Sequence, residues 1–132
     1  RRCLREAELA YREGDAPSTV RRAQECLELA VKSLLRLLGV EYPKVHDVSD
    51  VLFEVREKLP SPLRERVEEL AQLVSELSSV RGPAFCGYER EGIPASKVFT
   101  ARYAGEVLEK VRALYALLED AVVEGLKRAE SS

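Results

Sequence analysis

Val20, Ala23, Leu27, Ala30, Leu34 and Leu37 follow one another at steps of three and four residues. Only an α-helix puts positions spaced like this on one face, and a stripe this long has to be covered by other helices. Gly39 follows as the stop, and Asp15, Pro17 and Ser18 supply the start chemistry upstream. The rest of the chain repeats the theme. Leu4, Ala7 and Tyr11 mark a first amphipathic segment that ends at Gly14. Asp47 is placed to cap a short helix with Val48, Val51, Leu52, Val55 and Leu59 inside, and Asp50 suits its first turn. Ser61–Pro62 reads as a cap followed by proline, opening a helix with Leu63, Val67, Leu70, Val74 and Leu77 on one seam. Thr100 starts a long final helix through Val107, Leu108, Val111, Leu114, Tyr115, Leu118 and Val122.

No stretch alternates apolar and polar residues as a half-buried strand does, and no internal repeat appears. The expected fold is all-α: an antiparallel up-and-down bundle of four main helices plus one short helix, in a single domain over residues 1–132. With 132 residues, 45% of them apolar and 33% charged, the chain can bury a core of its own.

Composition narrows the function. The formal net charge of -2 provides no global basic field, so any contact with RNA or a nucleotide has to be local. The longest apolar run, LELAVKSLLRLLGV, is interrupted by Lys32 and Arg36 and is too short to span a bilayer. The opening RRCLREAELA has no signal-peptide core, and the absence of an initiator methionine suggests further residues upstream. Cys3, Cys26 and Cys86 are odd in number and show no metal-ligand spacing. Together these features predict free thiols in a reducing, cytoplasmic setting, with no metal, no cofactor and no membrane. Few thermolabile residues (no Asn, no Met, two Gln) and fifteen arginines among 21 basic residues would suit a thermophile.

One segment departs from the helical pattern. SVRGPAFCGYEREGIPASKVF, Ser79 to Phe99, holds an Arg–Gly–Pro break, an aromatic run with Cys86 and Tyr88, and then Gly92 and Pro94. A loop of this length inside a helical domain is uncommon unless it serves function.

The order of these features resembles the HEPN family. The residues that carry the resemblance are RRAQECLELAVKSLLRLLGVEYPKVHDVSDVL, with its Ala–Gln–Glu start, Gly stop and Pro loop into His–Asp, and YEREGIPASKVFT before the last helix. The likeness covers about residues 5 to 125. It implies an up-and-down bundle that forms homodimers and is often encoded beside a small nucleotidyltransferase as a toxin–antitoxin pair. Many family members are metal-independent endoribonucleases. Their motif is an Arg, four to six residues, a His, and often a Tyr two residues further on, with two motifs facing each other across the dimer cleft.

Against that motif, Arg81 matches the Arg and Tyr88 the trailing Tyr, but Cys86 stands where the shortest form places His. RNA cleavage without a metal needs a base for the ribose 2′-hydroxyl proton and a cation for the phosphorane. Arg81 can be the cation, because a guanidinium stays charged and its fork matches phosphate oxygens. Ordinary thiols and phenols titrate well above neutrality, so neither Cys86 nor Tyr88 replaces imidazole without a large shift. The motif Arg81, Cys86, Tyr88 is therefore degenerate, and no catalytic residue is assigned.

Each candidate also has a plain structural role. Arg81 suits the dipole at a helix C-terminus, Tyr88 suits a packed aromatic, and Cys86 a small hydrophobe. His46, the single histidine, precedes Asp47 and fits a turn and cap. Glu28 and Lys32, at i and i+4, form an ordinary helix-surface pair. The resemblance puts their face of the helix near the dimer cleft, which makes them further ligand-binding candidates beside Arg81 and Tyr88. The sequence thus favours a non-cutting nucleotide- or RNA-binding partner of a nucleotidyltransferase. The alternatives are an active ribonuclease toxin with an unconventional base and a ligand-free dimeric helical adaptor.

Overall fold

Asp15 ends one helix and begins the next in the computed structural model, which describes residues 2–41, 48–82 and 100–131. Helix α1 (Arg2–Arg12) closes on Gly14, whose φ of 78° is the left-handed conformation that glycine adopts without a side-chain clash. The Gly14 amide donates to the Tyr11 carbonyl (3.1 Å) and the Asp15 amide to the Ala10 carbonyl (2.9 Å), so the last carbonyls of α1 are satisfied. Asp15 then accepts the Ser18 amide on Oδ1 at 3.1 Å and caps helix α2 (Ala16–Leu37). Pro17 sits in the first turn of α2, where an amide hydrogen would have no helical partner. At the far end Gly39 repeats the device: its φ is 76°, its amide reaches Arg36 O at 3.1 Å, and Val40 N reaches Leu35 O at 2.8 Å.

Helix α3 (Val48–Glu54) is shorter than the Asp47–Leu59 periodicity predicts. The chain tightens into a 3-10 turn at Arg56–Lys58 and leaves it at Leu59, where ψ is 138°. Pro60 is the cause, because the residue before a proline is driven out of the helical region. The next helix also starts later than its sequence signal. A 3-10 turn at Leu63–Arg66 follows the cis Ser61–Pro62 bond, and regular helix α4 runs over Val67–Gly82. The Ser61 hydroxyl, expected as a backbone cap, instead bonds the Glu65 carboxylate at 2.8 and 3.0 Å. The orphan carbonyls are served by Arg64, whose guanidinium donates to Leu59 O (2.9 Å) and Glu57 O (3.2 Å). Helix α5 (Ala101–Ser131) begins at Thr100, whose Oγ1 accepts the Tyr103 amide at 3.1 Å, as its sequence predicts.

The fold is all-α, a helical bundle with no strand among the described residues. The chain resolves into two compact units, residues 1–26 with 76–112 and residues 27–75 with 113–132, and α2 and α5 each contribute to both. The first unit buries small and β-branched side chains, among them Val20, Ala23, Cys26, Ala104 and Val111. The second buries most of the leucines: Leu34, Leu35, Leu52, Leu59, Leu70, Leu114 and Leu118 are each at most 1% exposed. Each such side chain contributes roughly 1.5–3 kcal/mol of transfer free energy. The seam read from Leu63 through Leu77 is buried throughout, whereas Tyr115 and Val122 of the last helix are half-buried.

Two expectations for the N-terminal region change. Tyr11 is exposed, and Ala7 is the single fully buried residue of α1. The cysteine count predicts free thiols, but Cys3 and Cys26 are joined as a disulfide with Cα atoms 5.6 Å apart. Their spacing in sequence hides this, because helices α1 and α2 bring together positions separated by 23 residues. The odd cysteine count therefore gives no support to a reducing compartment. No described helix is long and apolar enough to cross a membrane.

Candidate functional site

Helix α4 carries Arg81 in its last turn, and α5 resumes the described chain after Thr100. Residues 83–99 between them include Cys86 and Tyr88, so these two members of the motif lie outside the described residues, as does His46. The helical backbone at Arg81 agrees with its sequence position just before the Gly82–Pro83 break.

The two helices that bracket the motif segment are joined by a pair that sequence reading missed. Tyr103, in the first turn of α5, donates its hydroxyl to Oε2 of Glu76 on α4 at 3.2 Å. Both residues belong to the first unit. Partial burial, then the negative charge of Glu76 and the hydrogen bond to it, push the Tyr103 phenol from its ordinary 10.0 up to about 12. The phenol is thus a neutral donor at physiological pH. The pair left no signal in the sequence, since its members are 27 residues apart and each occupies an unremarkable helical position.

Glu28 and Lys32 belong to the second unit, apart from the unit that holds Arg81. Their carboxylate and ammonium are 3.6 Å apart at i and i+4, with side chains 24% and 41% exposed. This is the helix-surface geometry of the plain reading, worth a few tenths of a kcal/mol, ~0.3–0.5. Among the described residues no group of three or more His, Cys, Asp or Glu is arranged to hold a metal. In sequence, Arg81, Cys86 and Tyr88 follow as Arg-x4-Cys-x-Tyr, a permanent cation, a thiol and a phenol.

The family model for the HEPN domain matches residues 1–121, a stretch that runs through both units, and the chain is a member of that family. Membership implies a nucleotide- or RNA-related function. No curated protein matches the chain, and no solved structure does.

Proposed function

We propose that this HEPN protein binds a nucleotide or RNA through Arg81 and Tyr88 and does not cut RNA. On this reading it is the partner of a small nucleotidyltransferase in a toxin–antitoxin-like pair, acting as a homodimer in the cytoplasm. The observation that carries the proposal is Cys86 at the position of the motif's histidine, in an otherwise intact Arg-x4-His-x-Tyr frame. Arg81 retains the phosphate-binding half of the chemistry, because a guanidinium pairs with phosphate oxygens through two parallel hydrogen bonds. The base half is missing, because a thiol with an ordinary pKa is mostly protonated and gives little help with a 2′-hydroxyl proton at neutral pH.

Tyr88 supplies the link to a nucleotidyltransferase. Its phenol oxygen attacks the α-phosphorus of a nucleoside triphosphate held by the partner enzyme, and an O–P bond forms. The α–β anhydride bond breaks, pyrophosphate leaves, and the phenol proton passes to solvent. Arg81 offsets the phosphate charge that Tyr88 then carries.

Two experiments test this. Titration of single-stranded RNA and of ATP into the protein should give saturable binding that weakens at least about tenfold in Arg81→Ala, the loss expected when a charge-assisted pair is removed. Incubation with the nucleotidyltransferase encoded nearest to the gene, plus ATP, should add one nucleotidyl group, and peptide mapping should place it on Tyr88. An unchanged mass, or an adduct on another residue, contradicts the modification. Binding indifferent to Arg81 contradicts the site.

A further inference from the structure

Helix α1 places few fully buried side chains in its unit. An isolated helix of 11 residues is marginal in water, so α1 depends on what it docks against. Ala7 is its only fully buried residue, while Leu9 and Tyr11 are 55% and 42% exposed. Among the described residues, Glu6 pairs with Arg22 at 3.6 Å and Glu8 with Arg112 at 3.0 Å. Their side chains are 30–54% exposed, so water and salt screen both. The Tyr11 hydroxyl rests against Gly105 of α5, within 2.8 Å of where a Cβ would stand. Against this thin attachment stands one covalent bond, Cys3 to Cys26, from the first turn of α1 to a fully buried position on α2.

We propose that the Cys3–Cys26 disulfide is a redox latch: it keeps α1 docked, and its reduction by a dithiol releases α1 while the rest of the chain stays folded. The asymmetry of the two cysteines suits this role. Cys26 is 0% exposed on α2, beneath the docked α1, whereas Cys3 is half-buried on the helix that is free to leave. A thiolate of the dithiol attacks Sγ of Cys3, and Cys26 leaves as its thiolate and takes up a proton. The second thiol of the reductant then displaces Cys3, closing the reductant's own disulfide. Two electrons pass from the dithiol to the cystine, and two protein thiols result. Release uncovers the α5 positions that α1 contacts, Gly105 and Arg112. Local opening of this kind draws on segments with few buried apolar side chains, and Ala7 is the one fully buried residue of α1.

Intact-mass and peptide mapping under non-reducing conditions should show Cys3 and Cys26 protected from alkylation, and both should become alkylatable after treatment with dithiothreitol. Hydrogen exchange of the same samples should show the amides of residues 2–12 exchanging at least about tenfold faster after reduction, with those of residues 67–77 unchanged. Cys3→Ser should reproduce the fast exchange without reductant. Three results would overturn the latch: thiols at Cys3 and Cys26 in protein oxidised under air, α1 protection that survives reduction, or loss of protection in residues 67–77 together with α1.

Discussion

The hydroxyl of Tyr103 donates to Oε2 of Glu76 across 3.2 Å and ties the helix that carries Arg81 in its last turn to the helix that follows the motif segment. Because the folded protein raises the phenol's pKa to about 12, it holds the proton more tightly than the unfolded chain, whose value is 10.0. The resulting stability is complete below pH 10.0 and is lost as pH rises through about 12. Tyr103→Phe should cost about 0.5–1 kcal/mol at neutral pH, one partly exposed hydrogen bond. It should also flatten the decline in stability between pH 10 and about 12 relative to wild type. Urea denaturation across that range measures both effects, and parallel pH profiles for the two proteins would refute the assignment.

Two glycines of α5 should respond oppositely to alanine. At Gly105 the neighbour is the tip of Tyr11, with its hydroxyl 2.8 Å and Cζ 3.2 Å from the added Cβ, and Tyr11 is exposed enough to swing away. Gly105→Ala should therefore recover part of the helix-propensity gain of about 1 kcal/mol and end neutral to slightly stabilising. At Gly125 the added Cβ meets Leu37, including its branch carbon Cγ at 3.2 Å, which a rotation of the terminal methyls does not clear. Crowding there costs about 1–3 kcal/mol and outweighs the propensity gain, for a net loss of about 1 kcal/mol. Thermal melts that rank Gly125→Ala above Gly105→Ala would contradict this reading.

Asp15 works for two helices, yet only one of its roles needs the carboxylate. Its backbone amide closes α1 on Ala10, which any non-proline residue can do, while its Oδ1 caps α2 at Ser18. Asp15→Ala should lose about 1 kcal/mol and Asp15→Asn only a few tenths, ~0.3. Equal losses in the two variants would mean that charge, and not the cap bond, is what Asp15 contributes.

A homodimer would cover apolar side chains that the second unit leaves exposed: Leu29 at 57%, Phe53 at 46%, Val123 at 46% and Leu126 at 51%. Light scattering at micromolar concentration should return twice the 14.8 kDa of one chain, and Leu126→Glu should shift it toward the monomer. A monomer mass for the wild type contradicts the dimer.

Much of the fold was legible because its signals are local. The caps at Asp15 and Thr100, the stops at Gly14 and Gly39, and the Leu63–Leu77 seam each depend on residues within one or two turns of one another. Near the prolines the reading overran: α3 gives way to a 3-10 turn before Leu59, which Pro60 holds extended, and the turn at Leu63–Arg66 delays α4. What the sequence hid was long-range. The Cys3–Cys26 bond and the Tyr103–Glu76 bond link positions 23 and 27 residues apart, and no periodicity marks either one. In the candidate site, Arg81 is placed on the last turn of α4 and Glu28–Lys32 forms the surface pair that i, i+4 spacing suggests. Cys86 and Tyr88 rest on motif spacing alone.

The central claim is that Cys86 withholds the base from an otherwise complete motif. It is tested most directly by cleavage of a single-stranded RNA in the presence of a metal chelator, comparing wild type, Arg81→Ala, Cys86→His, and Cys86→His combined with Arg81→Ala. The account predicts no cleavage by wild type and metal-free cleavage by Cys86→His. That gain should reach about 100-fold or more over wild type, the usual worth of a positioned base, and should disappear when Arg81→Ala is added. Metal-free cleavage by the wild type that is abolished in Arg81→Ala would contradict it.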